Sequence, residues 1–251
     1  LFDGTNSDQV GTSGSPKDAL LGVLANNGGP TKTHAPQSSS PLRDAGNNAG
    51  VSTLDQRGLP RVRDNNADST ATVDIGAVEG PVDANVFFVN STLDTTDANA
   101  GNGSVADATG RATLRAAIQE ANALAGEQTI FIPAGLFLLS LAGASENSAA
   151  TGDLDITGNL TIVGAGADVT IIDAAELDRI FQVMTGMTVT LSSLTVRGGK
   201  ITGSNDGGGV LNAGTLSLVD AVVSSNTSEF QGGGIANAST ANLSLTNTTV
   251  T

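Results

Sequence analysis

Five oxygen-bearing residues crowd one short stretch of the sequence: Asp94, Asp97, Asn99, Asn102 and Asp107. Carboxylate and amide oxygens at that density suit Ca²⁺, which takes about six to eight oxygen ligands. Their spacing does not follow the EF-hand loop. Two readings therefore stand side by side: a calcium site carried by Asp94, Asp97, Asn99 and Asp107, and a solvated, turn-rich loop. A second set comprises Asp153, Asp155, Asp173, Glu176 and Asp178, with Arg179, Arg197 and Lys200 close by in sequence. Such groups could hold calcium against a uronate and supply a base for its acidified proton, as in a polysaccharide lyase. No motif ties them together, and outward charges on strands usually form the wet face of a sheet. The chain is accordingly read as non-enzymatic, with no catalytic residue assigned.

Other chemistry is excluded more firmly. There is no cysteine, which removes disulfides, thiolate metal sites and thiol nucleophiles. The single histidine, His34, rules out a zinc site with two imidazoles and reads as a hydrogen-bonded loop residue. Gly207-Gly208-Gly209 and Gly232-Gly233-Gly234 are not phosphate loops, because neither a helix pattern nor a lysine follows them. The net charge of −14 disfavours nucleic acid as a partner, and no run of eighteen apolar residues is present to span a membrane. At Leu1 no basic and apolar leader is visible, so the sequence reads as a processed product or an excerpt.

The elements that must position these residues change character along the chain. Residues 1–80 carry six basic and nine acidic residues and are rich in turn pairs such as Gly29-Pro30, Ala35-Pro36, Ser40-Pro41 and Leu59-Pro60. Only 19–24 and 73–78 read there as short apolar elements. Residues 81–251 carry five basic and sixteen acidic residues, so most of the acidity lies in this second part. Within it, Leu114, Ala117, Ile118, Ala121, Leu124 and Ala125 share one helix face, with Arg111, Arg115, Gln119 and Glu120 elsewhere. Thr113 suits the N-cap and Gly126 the stop. This predicts one amphipathic helix over 113–125.

Around that helix the pattern is one of short strands: 86–89, 129–132, 136–139, 154–156, 160–163, 169–172, 180–183 and 189–196. In Asp153-Leu154-Asp155-Ile156 a period of two places both apolar residues on one face and both carboxylates on the other, wet face. The strongest signal is an internal repeat. Gly207-Gly208-Gly209-Val210-Leu211-Asn212 returns as Gly232-Gly233-Gly234-Ile235-Ala236-Asn237, a shift of 25, and Leu216-Ser217-Leu218 returns as Leu243-Ser244-Leu245, a shift of 27. Leu191 to Val196 stands a further 27 before Leu218 to Val223.

Units of this length, each with two or three short strands, mark a β-solenoid whose coils stack about 4.8 Å apart and close an aliphatic interior. Small and β-branched residues fit such an interior, consistent with an aromatic content of 3% and 32 glycines. Glycine triplets supply corners with positive φ. Asn212 and Asn237 fall at equivalent corners, where stacked amides would bond up the axis.

Ala112-Thr113-Leu114-Arg115-Ala116-Ala117 resembles the CSLREA motif of large bacterial surface proteins. The stretches Gly152 to Ile156, Val163 to Gly166 and Leu177 to Phe181 are similar to the same group. The motif's Cys, Ser and Glu are Ala112, Thr113 and Ala116 here, which keeps an N-cap and loses the reciprocal half of a capping box. Residues 1–80 resemble the C-terminal part of "choice-of-anchor Q" β-helix proteins, through Leu24 to Thr31, Ser40 to Gly46, Asp55 to Gly58 and Asp74 to Glu79. Together these resemblances imply a right-handed parallel β-helix of the pectate-lyase-like superfamily, exported to the cell surface or beyond it.

The expectation is thus an all-β, right-handed parallel β-helix with coils of about 25 residues. A C-terminal-type end occupies 1–80, and an N-terminal cap and coils occupy 81–251. That order suggests the repeat of a polymer, either one period of a giant tandem protein or a subunit whose open coil at Thr251 is completed by residues 1–80 of the next. It points in turn to a structural extracellular protein whose copies associate head-to-tail into a fibre or matrix. The alternative is a polysaccharide-active or glycan-binding surface protein. Copies of itself are the expected partner, extracellular polysaccharide the second, and Ca²⁺ the only cofactor the residues point to.

Overall fold

A computed structural model describes residues 11–12, 15–25, 27, 31–37, 39–57, 61–62, 70–80, 85–143, 146–203 and 206–251. The Gly29-Pro30 and Leu59-Pro60 turns, Pro81, and Asn26, Gly28 and Gly58 lie outside those residues. The chain forms two compact units, Leu1–Asp83 and Ala84–Thr251.

The first unit has little regular structure. An antiparallel pair, β1 (Gly11–Thr12) and β2 (Ser15–Pro16), is joined by isolated bridges Leu21 to Pro36 and Ala25 to Thr33. Val73 and Val78 are buried, as the apolar spacing of 73–78 suggests, whereas Leu21, Val23 and Leu24 stand in solvent. Polar ties replace an apolar core. Asp74 accepts from the backbone of Asp44 and Gly80 at 2.7 Å each, and the Arg57 guanidinium meets Asp55 at 2.8 Å with both side chains out of solvent.

The second unit is a parallel β-solenoid. In chain order its elements are β3 (Val86–Phe88), α1 (Leu114–Ala123), β4 (Gln128–Ile132), β5 (Gly135–Leu138), β6 (Leu154–Ile156), β7 (Leu160–Gly164), β8 (Thr170–Asp173) and β9 (Phe181–Val183). There follow β10 (Thr188–Ser192), β11 (Thr195–Arg197), β12 (Lys200–Ile201), β13 (Val210–Asn212), β14 (Thr215–Val219) and β15 (Val222–Ser224). The last four are β16 (Thr227–Ser228), β17 (Ile235–Asn237), β18 (Asn242–Thr246) and β19 (Thr249–Val250).

From β7 on, each strand except β12 stacks on the strand three or four places before it, one coil earlier, and β4 stacks directly on β3. Three long sheets result: β18-β14-β10-β7-β4-β3, β19-β15-β11-β8-β5 and β17-β13-β9-β6, with a short fourth pair β12-β16. Register repeats at 27 residues where Thr188 faces Thr215 and Thr215 faces Asn242, and at 25 where Val210 faces Ile235. The two sequence shifts are therefore two sheets of the same coils.

Inward side chains form straight ladders. Ile130, Ile162, Leu191 and Leu218 are in register and fully buried, and so are Leu154, Phe181 and Val210 in the third sheet. Each interior rung contributes roughly 1.5–3 kcal/mol per fully buried large apolar side chain. Helix α1 lays Leu114, Ala117, Ile118 and Ala121 into this core and packs on β4 and β6. Its N-cap is Thr113, whose hydroxyl accepts from the Ala116 N–H at 3.1 Å, as its position in the sequence predicts.

One expected strand, 189–196, is two. The chain turns at Ser193, whose φ is +55, between β10 and β11. The same corner recurs at Asp220 and Asn247, with φ of +50 and +47. Asp and Asn tolerate the left-handed region because their short polar side chains can bond locally. Here the Asn247 amide donates to Asp220 at 2.5 Å, tying one corner to the next. The glycine triplets make another corner: Gly207 has φ +74, and a Cβ on Gly208 would lie 2.1 Å from the Thr227 carbonyl oxygen.

Candidate functional site

The loop between β3 and α1 uses its polar side chains to hold itself together. Both carboxylate oxygens of Asp94 meet the Arg115 guanidinium, at 2.6 and 3.2 Å, and one of them also accepts from the backbone of Ser140 and Leu141. Asp97 accepts from the backbone of Asn99 and Ala106, at 2.7 and 3.0 Å. Asp107 accepts four hydrogen bonds, from Thr95, Arg111 and both the backbone and hydroxyl of Thr109. Burial opposes its ionisation, yet these donors hold its carboxyl well below the usual range. Asn102 accepts from Ser104, and Asn99 is exposed. Asp94 thus points to α1, while Asp97 and Asp107 close separate turns. Among the described residues no three Asp, Glu, His or Cys side chains gather in a metal-holding group.

His34 donates from Nδ1 to the Gly22 carbonyl at 2.8 Å, in keeping with its reading as a hydrogen-bonded loop residue.

Of the second acidic set the coils draw together Asp153, Asp155 and Asp178, whereas Asp173 and Glu176 pair with Arg197 and Lys200. Leu154 and Ile156 face the interior as the alternation requires, but the opposite face of β6 is not wet. Asp155 is fully buried and Asp153 is 6% exposed, which corrects the expectation of two solvated carboxylates. The physical reason is that Asp155 accepts from the Ala149 N–H at 3.0 Å, so the chain before β6 covers its outer face. From the next coil Arg179 places Nε 2.9 Å from Asp153, and Asp178 accepts from the Arg179 N–H at 2.8 Å.

Few ties neutralise this cluster. Burial, reinforced by the Asp155 charge, pushes Asp153 up to about 7. Burial likewise pushes Asp155 up to about 6 against the Ala149 hydrogen bond, and Asp178 is raised for the same reason. Glu146 behaves oppositely: burial is outweighed by hydrogen bonds from Ser148, Thr151 and Ala150, and its carboxyl is held low. Oδ1 of Asp155 and Nη1 of Arg179 are buried with no hydrogen-bond partner among the described residues.

Beside the cluster a cavity of about 400 Å³ opens on the outer face of the third sheet. Gln182 and Leu211 form its floor, with Glu146, Asn147, Asp178 and Arg179 among its walls. The remaining basic candidates are paired: Arg197 with Asp173 at 2.9 Å and Lys200 with Glu176 at 2.8 Å.

A third feature is the last coil. Leu243, Leu245 and Val250 continue the interior ladders of Leu216, Leu218 and Val223, residues that are fully buried one coil earlier. In β18 and β19 the same positions are 36, 47 and 43% exposed, and both strands stand at the ends of their sheets. The internal repeat of the sequence already shows where these positions point.

No protein-family model, curated protein or solved structure matches the chain, so the resemblances stand on the residues quoted for them.

Proposed function

We propose that this chain is a structural β-solenoid protein of the cell exterior whose copies associate head-to-tail. The observation that carries this reading is the last coil. Its Leu243, Leu245 and Val250 repeat in register the chemistry of the coil interfaces inside the molecule, so the stacking rule that builds the solenoid accepts a further coil there, whether of this chain or of a second copy. A heterologous contact of this kind does not close on itself and grows a filament. The complementary surface of a second copy is sought in its first unit. There Leu21, Leu24 and Ile75 are exposed around an apolar cavity of about 340 Å³, in the segment that resembles the end of a solenoid. The location outside the cell rests on the sequence resemblance.

Sedimentation across a concentration series, with negative-stain microscopy, tests this. Linear oligomers that lengthen with concentration, and that Leu245→Glu abolishes without changing the circular dichroism spectrum, are the expected result. Compact monomers at every concentration would overturn it.

A glycan-handling role is the second reading, favoured by the polar cavity flanked by Asp178, Arg179 and Lys200. Unsaturated products released from uronate-containing polymers, followed by ultraviolet absorbance, would support it; their absence would remove the lyase form.

A further inference from the structure

The segment 146–152 is fastened over β6 by a small number of bonds that can be counted. Ala149 donates to Asp155 at 3.0 Å, and its carbonyl accepts from Gln119 and Arg115 at 3.1 Å each. The Gly152 carbonyl accepts from Arg115 at 2.8 Å, and the Gly152 N–H reaches the Leu141 carbonyl at 2.7 Å. Beneath and beside the segment lie Asp153, Asp155 and Asp178, all nine-tenths buried or more.

We propose that residues 146–152 form a clasp on the flank of the solenoid, closed while the carboxyl groups beneath it are protonated and released when they ionise. Charge decides the state of a site closed to water. Glu146 faces the cluster from the segment itself, Asp153 and Asp155 from β6 and the residue before it, and Asp178 from the following coil. Arg179 faces them as a cation; Lys200 at the cavity is engaged by Glu176. From α1 come Arg115 and Gln119, and the Arg115 charge is already taken by Asp94.

Fully ionised, three buried carboxylates therefore share one guanidinium. Like charges in a region of low polarisability repel strongly, and hydration relieves them. The segment is the part that can yield, because β6 and β9 are locked in the parallel ladder. Protonated, the same carboxyl groups are neutral and tolerate burial, and for Asp155 burial outweighs the Ala149 hydrogen bond, which by itself favours the ionised form. The raised proton affinities of Asp153 and Asp155 place the change near neutrality. Release would extend the neighbouring cavity across the outward rung Asp155, Gln182 and Leu211.

Methyl NMR on alanine-labelled protein tests this, using a soluble paramagnetic agent. Ala149 and Ala117 are both fully buried and serve as probe and reference. Between about pH 5 and about pH 8.5 the relaxation enhancement at the Ala149 methyl should rise several-fold with a midpoint between 6 and 7, while Ala117 stays unchanged. In Asp153→Asn/Asp155→Asn the Ala149 response should be flat. An Ala149 methyl protected throughout the wild-type titration would overturn the proposal, as would a rise shared by Ala117. A rise persisting in the folded double variant would overturn it too. The wild-type titration decides by itself if that variant does not fold.

Discussion

The Arg115 guanidinium lies 2.6 Å from Asp94, and both side chains are almost wholly out of solvent. From that position Arg115 also reaches the carbonyls of Ala149, Gly152 and Asp153, so one side chain of α1 fastens the loop after β3 and the segment before β6. An Arg at this point acts as a planar fork with several donors, a role lysine cannot copy.

Removing one partner of a buried pair leaves the other charge uncompensated, at a cost of about 3–5 kcal/mol. Arg115→Met should lower solenoid stability by that amount, and Arg115→Lys should recover only part of it. Urea denaturation followed by circular dichroism measures both.

Stability should also fall as pH rises from about 5 to about 8.5. Asp153 and Asp155 bind protons more tightly folded than unfolded, with folded values of about 7 and about 6. Their contribution is therefore full below the ordinary carboxylate range and is lost as pH climbs through those values. Each group should cost about 1 kcal/mol per pH unit within its window, allowing for screening. Glu79 in the first unit, raised by burial to about 7, acts in the same direction. Melting temperatures across the range, with Asp153→Asn flattening the profile, provide the check.

Leu218 and Leu245 stand in register on successive coils. Leu218→Ala should destabilise by about 2–5 kcal/mol, since Leu218 is fully buried. Leu245→Ala, half-exposed, should cost the monomer less than about 1 kcal/mol and weaken self-association instead. Paired denaturation and sedimentation experiments distinguish the two effects.

Calcium should leave the melting curve unchanged. The oxygens of Asp94, Asp97 and Asp107 already accept backbone or side-chain hydrogens, and binding a metal would forfeit those bonds. A rise in melting temperature with calcium, reversed by a chelator, would instead assign a metal to this loop.

How much of this was legible in the sequence depends on whether a residue's role is local. Leu154–Ile156 shows itself by alternation, and the helix by its apolar spacing and Thr113 cap. The corner at Ser193 was visible in principle, because Leu191 and Leu194 are both buried three residues apart and break the period of two. Arg115 and Glu120 were not legible as interior residues. Both sit off the apolar face of α1 yet are fully buried, Glu120 by accepting from the backbone of Gly101 and Gly103. Their burial is imposed by loops that fold back from a distance, and periodicity carries no information about such covering. Asp155 escaped for the same reason: the pleat sets its direction, and residue 149 decides its solvent.

The ladder that holds Leu154, Phe181 and Val210 has a neighbour in which Ile156 and Val183 are succeeded by Asn212 and Asn237. Asn212 is fully buried; its amide donates to Asn237 at 2.7 Å and to the Asn242 carbonyl at 2.9 Å, while its oxygen accepts from Gly214. Aliphatic rungs are nearly interchangeable, so a chain of similar coils is free to stack one unit out of place at little loss. An amide sunk among them removes that freedom, because any misplaced coil would leave its donors facing hydrocarbon. In a repetitive chain, then, the least hydrophobic rung of the interior tells each coil which neighbour is its own.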